Sequence, residues 1–130
     1  MNTKELGDLG ERTACEYLVK RGYKILAKNY RISFGEIDII AKKKWRLWGN
    51  DKTIHFVEVK TIIDNNRGVF PEEHVDARKQ RKLNQLSQIW LQKHNYPQDF
   101  PYQIDVVGIL VEKNGEETKL NYFPNAISEL

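Results

Sequence analysis

Cysteine is almost missing from this chain. Cys15 stands alone among 130 residues, so an internal disulfide is excluded. No Cys/His spacing resembles a zinc site, and the three histidines, His55, His74 and His94, form no metal-binding pair in the sequence. Apolar runs are short, none approaching the roughly 20 residues that a membrane-crossing helix needs. The opening residues, Met1-Asn2-Thr3-Lys4-Glu5, lack the apolar stretch of a secretory signal. These absences point to a cytoplasmic protein with no membrane partner. Serine and cysteine are not spaced as a nucleophile with a base, and no repeat, low-complexity segment or linker divides the chain. An excess of one sign of charge is also lacking: 21 Lys and Arg against 18 Asp and Glu leave a net charge of +3, which identifies no partner. What remains is a composition with 40% apolar and 30% charged residues, expected to fold as one globular domain over residues 1–130.

Two stretches dominate what is present: Gly35-Glu36-Ile37-Asp38-Ile39-Ile40-Ala41 and Phe56-Val57-Glu58-Val59-Lys60. Both are rich in β-branched residues and bounded by turn formers, which predicts strands. Side chains alternate across a strand. Glu58 and Lys60 therefore share a face with Ile54 and Phe56, while Val57 and Val59 point the other way. The same alternation puts Ile37, Ile39 and Ala41 on one face and Asp38 on the other, with Glu36 and Ile40. Charges in the middle of such strands are costly unless paired or metal-bound. If the strands are neighbours, Asp38, Glu58 and Lys60 converge on one volume suited to a divalent metal and a water molecule.

Gly7 to Arg21 reads as a helix that stops at Gly22, with Leu6, Ala14, Tyr17 and Leu18 along one side. Glu11 lies on that apolar stripe, either snorkelling outward from its edge or pointing inward as a third acidic group. Tyr23 to Arg31 is expected as a strand, turning through Ser33-Phe34-Gly35 into the Asp38 strand, which is expected to run on to Trp48. Gly49-Asn50-Asp51 signals a hairpin, with Thr53 to Lys60 returning antiparallel. Trp45 and Trp48 interleave with Lys42, Lys43, Lys44 and Arg46, a pattern that suits either a nucleic-acid surface or, in the favoured reading, a solvated hairpin.

Thr61 to Glu73 is expected to be loop, and a second helix to run from about Val75 to Lys93 with Leu83, Leu86, Ile89 and Trp90 on its apolar face. Its first turns carry Arg78, Lys79, Arg81 and Lys82, cations that oppose the helix dipole there. Phosphate contact is one reason to keep them; an ordinary solvated face is the other. Tyr102 to Val111 reads as a strand covered on both faces, with Asp105 either orienting a basic side chain or marking the wet end. Asn114-Gly115 turns the chain back through Lys119 to Phe123. The resulting order, α-β-β-β-α-β with a terminal hairpin strand, predicts an α/β fold in which two helices pack against a mixed sheet.

Asp38 followed twenty residues later by Glu58-Val59-Lys60 resembles the D…ExK signature of the restriction-endonuclease-like, PD-(D/E)xK, nucleases. More closely, the chain resembles the YraN family of small bacterial proteins, which are similar to Holliday-junction resolvases. The likeness runs through Gly7, Gly10-Glu11, Ala14, Gly22-Tyr23, Asn29-Tyr30-Arg31, the two strand strings through Thr61, Lys79 and Asp105. Two positions depart from the family pattern: Ile62 stands where Arg is usual, and Gln103-Ile104 where Arg-Phe is usual.

The resemblance implies a nuclease-like domain with a restriction-endonuclease-like core, acting as a metal-dependent endonuclease on DNA, including branched DNA. The alternative is a nucleic-acid-binding module that keeps the fold with little or no cleavage. In the catalytic case, Mg²⁺ or Mn²⁺ is held by Asp38, Glu58, the Val59 carbonyl and Glu11. Lys60 orients the attacking water or neutralises phosphate, and Lys79 with Arg78, Arg81 and Lys82 holds the DNA backbone. Symmetric cutting of a junction implies a homodimer.

Overall fold

The first helix, α1 (Thr3–Lys20), starts earlier than the expected Gly7 because Asn2 caps it, its Oδ1 accepting the Glu5 N–H at 2.8 Å. It stops at Gly22, whose φ of +90° is open to glycine and turns the chain into the sheet. The computed structural model describes residues 1–44, 49–64, 76–113 and 117–127. Trp45, Trp48, most of the expected loop after Thr61, His74 and the Asn114-Gly115 turn lie outside them.

The strands are β1 (Tyr23–Ile32), β2 (Gly35–Lys43), β3 (Ile54–Ile63), β4 (Tyr102–Val111) and β5 (Thr118–Ile127), with α2 (Ala77–Lys93) between β3 and β4. They form one sheet in sequence order. Neighbours are antiparallel except β3 and β4, whose parallel pairing is made possible by the α2 crossover. This is the mixed sheet with two helices that the sequence predicts. β3 outruns the expected end at Lys60 because Thr61↔Ile109, Ile62↔Leu110 and Ile63↔Val111 continue the parallel ladder. α2 is capped by Asp76, whose Oδ1 accepts the Lys79 N–H at 2.8 Å. Among the described residues no helix is long and apolar enough to cross a membrane.

The helices cover opposite faces. Ala14, Cys15 and Leu18 of α1 pack on Ile39, Ala41, Val57, Val107, Ile109 and Val111. Leu83, Leu86, Trp90 and Leu91 of α2 pack on Ile37, Ile40, Ile54, Phe56, Ile104 and Val106. Ile89, expected in this face, is only half-buried, and Leu91 takes its place. β3 alternates as predicted, with Ile54 and Phe56 toward α2 and Val57 and Val59 toward α1.

β2 does not alternate throughout. Ile37 joins the α2 layer while Ile39 and Ala41 join the α1 layer, so the three do not share a face as expected. The cause lies opposite Asp38: Asn29 of β1 has a left-handed backbone, φ +50°, and the ladder skips both residues between Lys28↔Ile39 and Tyr30↔Ile37. A left-handed residue inside a strand breaks the two-residue period.

Candidate metal centre

Asp38 sits where β2 and β3 cease to pair. Their ladder ends at Ile39↔Val57, and the Asp38 side chain takes the next donor, Oδ2 accepting the Val59 N–H at 2.8 Å. The Val59 N–H therefore acts as a donor that orients the carboxylate.

Two further carboxylates meet Asp38. Glu11 comes from the inward edge of the α1 stripe and Glu36 from two residues upstream on β2. Each can offer one oxygen such that the three atoms lie within 4.8 Å of one another. Glu11 thus points inward. From the sequence, Glu36 on the Asp38 face is either a supporting group of the site or, more commonly, a solvated strand-edge residue. Asn29 was not singled out for any role, although asparagine is a residue that tolerates the left-handed region. In the amide orientation that satisfies both sides, its Nδ2 donates to Glu11 Oε1 at 2.9 Å, Glu11 Oε2 at 3.1 Å and Glu36 Oε1 at 3.0 Å. Arg31 adds an exposed ion pair to Glu36 at 3.1 Å.

Glu58 lies on the α2 side. It is 8% exposed and accepts from Lys79 Nζ at 2.7 Å. A cleft of about 390 Å³ opens there, lined by Glu36, Asp38, Glu58, Arg78, Lys79 and Lys82. Arg81 is exposed on the same helical turns but is not part of that lining. On the other side of Asp38, a cleft of about 250 Å³ is lined by Asp8, Glu11, Arg12, Lys28 and Asn29. Asp38 thus borders both openings. Lys60 is half-buried two residues beyond Glu58, beside Gly108 of β4.

Crowding shows in the acidities. Burial, then the Glu58 charge, outweigh the Val59 N–H bond and push Asp38 up to about 7, with Glu11 and Glu36 adding to the rise. Burial also raises Glu11, against the Asn29 hydrogen bond and with help from Glu36. Burial disfavours the charge on Lys79, but the Glu58 hydrogen bond and charge prevail, leaving its pKa above the usual lysine value. Carboxylates held close enough to resist ionisation are relieved by a divalent cation, and an all-oxygen donor set suits Mg²⁺ or Mn²⁺. Glu11, Asp38 and Glu36 fit such an ion, with Glu58 bordering it.

Asp105 is elsewhere. Fully buried in the α1 layer, it orients a basic side chain and marks no wet end: His55 Nδ1 lies 2.7 Å from its Oδ2. The Gln103 Nε2 and the Asn125 N–H each donate to Oδ1 at 2.7 Å, and the Tyr122 hydroxyl donates to Oδ2. Burial alone would raise its pKa, but these partners together hold Asp105 below the usual carboxylate range. Gln103, one of the two departures from the family pattern, is thereby given a structural task. His55, held by Asp105, faces away from Glu58.

The family described as "Uncharacterised protein family UPF0102" matches residues 10–109. Among curated relatives, the chain is 39% identical over 126 residues to a UPF0102 protein of Caldicellulosiruptor bescii, covering 97% of this chain and 99% of that one. It is 36% identical over 124 residues to a UPF0102 protein of Roseiflexus castenholzii, covering 95% and 94%. A UPF0102 protein of Clostridioides difficile is 39% identical over 127 residues, covering 97% and 99%.

Proposed function

This chain belongs to the uncharacterised protein family UPF0102, the YraN family, and we propose that it is a divalent-metal-dependent endonuclease hydrolysing DNA phosphodiester bonds on a restriction-endonuclease-like core. One observation carries the reading: Asp38, with Glu11 and Glu36 within 4.8 Å and Glu58 at its side, opens onto the cationic first turns of α2. Carboxylates for a cation beside cations for a phosphate are the two halves of a phosphodiester site.

In this reading Asp38, Glu11 and Glu36 hold Mg²⁺ or Mn²⁺, and Glu58 and the Val59 carbonyl, ligands that the family resemblance implies, join them from the α2 side. The bound ion supplies Lewis-acid stabilisation of phosphate charge and a more acidic water. Lys60 orients the attacking water or neutralises phosphate. Lys79, Arg78 and Lys82 hold the backbone from the cleft wall, with Arg81 reaching it from the same turns. The family resemblance extends the substrate to branched DNA such as four-way junctions, and symmetric cutting of a junction requires a homodimer.

A second reading, DNA binding without cleavage, draws on the Lys79–Glu58 pair, which already satisfies one of the carboxylates. Cleavage of labelled four-way junction, duplex and single-stranded DNA with Mg²⁺ or Mn²⁺ separates the two. Cation-dependent cutting that is lost in Asp38→Ala and Lys60→Ala supports the endonuclease. Binding without cutting, unchanged by either substitution, leaves the binding module.

A further inference from the structure

We propose that Asn29 is a reversible member of the cation site, donating through Nδ2 to Glu11 and Glu36 in the cation-free protein and turning Oδ1 to the ion when one binds. The inference rests on the metal reading above and adds a neutral ligand to it. Asn29 lies opposite Asp38, at the position both strands leave out of their ladder, and its φ of +50° is unusual for a residue inside a strand. Such backbone persists where the surroundings hold it, and it is enriched at functional positions.

The side chain explains the choice of residue. Glu11, Glu36 and Asp38 crowd together, and with its amide turned to satisfy both sides Asn29 donates to three oxygens of the first two at 2.9–3.1 Å. That amide is the neutral filler of a space that attracts positive charge. Its two ends have nearly the same shape and opposite hydrogen-bonding character: NH₂ donates, and the carbonyl oxygen accepts or ligates. A half-turn of the terminal torsion exchanges them without moving the backbone. Hard divalent cations take asparagine carbonyl oxygens readily alongside carboxylates. An aspartate here would add a further negative charge to the cation-free cluster, and an alanine would offer it nothing. The cleft on the α1 side, lined by Glu11, Asn29 and Asp38, gives solvent a path to the group.

The test uses the full chain with Mn²⁺ and Mg²⁺ alone. In ¹⁵N-labelled protein, the Asn29 side-chain NH₂ signal, assigned by its disappearance in Asn29→Asp, should shift on saturation with Mg²⁺ as its carboxylate partners are lost. By titration calorimetry, Asn29→Asp should bind Mn²⁺ at least tenfold more tightly than wild type and melt at a lower temperature without the ion. Asn29→Gly, which keeps the left-handed backbone but has no amide, should bind at least tenfold more weakly. Wild-type Mn²⁺ binding with an unmoved Asn29 signal, or with unchanged affinity in a folded Asn29→Gly, overturns this proposal alone. Absence of Mn²⁺ binding in wild type, or binding undiminished in Asp38→Ala, overturns the metal reading and this proposal with it. The NMR arm needs no variant to fold beyond the one used for assignment.

Discussion

Asp38 ends the β2–β3 ladder with its own side chain, its Oδ2 holding the Val59 N–H at 2.8 Å just past the last backbone pair, Ile39↔Val57. A carboxylate has replaced a main-chain carbonyl as the acceptor. The sheet thereby gains an ionisable group at a fixed place, and Glu58, one residue before Val59, is left open to the first turns of α2.

The replacement has a stability cost that depends on pH. Burial and then the Glu58 charge push Asp38 up to about 7 from an ordinary 3.8, so the folded state disfavours its charge. The penalty is absent below the ordinary value, grows as pH rises toward 7 and is constant above it. Asp38→Asn keeps an oxygen for Val59 and removes the charge. In EDTA at pH 8 it should be more stable than wild type by on the order of 2–4 kcal/mol, with less than half of that advantage left at pH 5. Urea unfolding at the two pH values measures this, and Mg²⁺ should stabilise wild type but not the variant.

Asp105 behaves in the opposite sense. Its folded pKa is depressed, so its contribution is fully present above the ordinary carboxylate value and is lost only as pH falls through the lower folded value. Asp105→Asn turns one acceptor oxygen into an NH₂ donor, which strands the buried donors at that oxygen, His55 and Tyr122 when the amide replaces Oδ2. It should cost about 2–4 kcal/mol, constant from pH 8 to pH 5 and shrinking below about pH 4. DNA cleavage per folded molecule should stay within about twofold of wild type, since Asp105 is in the α1 layer away from Glu58. A folded variant with a tenfold or greater loss would place Asp105 in the reaction.

Two glycines of α1 should respond oppositely to alanine. A Cβ at Gly7 meets nothing within 4 Å, so Gly7→Ala should stabilise by about 0.5–1 kcal/mol through helix propensity. A Cβ at Gly10 would sit 1.8 Å from Thr61 Oγ1 and 2.9 Å from its Cβ, forcing α1 away from β3. Gly10→Ala should cost about 1–3 kcal/mol and, by displacing the adjacent Glu11, weaken Mn²⁺ binding as well. Adding Thr61→Ala should recover part of both. Thermal melts and calorimetry on the four proteins decide it.

The cations of α2 should separate by position. Arg78→Ala and Lys82→Ala, from the cleft wall, should each weaken DNA binding about tenfold and lower the slope of log affinity against log salt by about 1. Arg81→Ala, outside the lining, should change either quantity less. Equal effects at all three would mean a diffuse basic field and no seated phosphate.

The order of elements, the two-sided burial of β4 and the alternation of β3 were legible because each follows from a local period in the sequence. Ile54, Phe56, Val57 and Val59 fall where a regular strand puts them. Ile37 does not, because the conformation of Asn29, a residue of another strand, overrides the period of its own. The site was legible to the extent that it rests on charges in the wrong place: Asp38, Glu58 and Glu11 on otherwise apolar faces. Glu36 was harder to read, as a polar residue near a strand end is ordinary until tertiary structure brings Glu11 beside it. Lys79 stands out in the sequence as a cation in the first turns of α2, but its bond to Glu58 depends on how α2 docks, which no periodicity encodes.

Among the described residues the β3–β4 ladder runs from Ile54↔Tyr102 to Ile63↔Val111, and the β2–β3 ladder from Lys42↔Ile54 to Ile39↔Val57. The β1–β2 hairpin is therefore tied to the rest of the sheet by the shorter seam, and the acidic cluster lies at the end of that seam. Glu36 and Asp38 stand on one bank, Glu58 and Lys79 on the other. The bond from Val59 to Asp38 is the last stitch between them. A ligand bound across both banks would add a second tie beside the Val59–Asp38 bond.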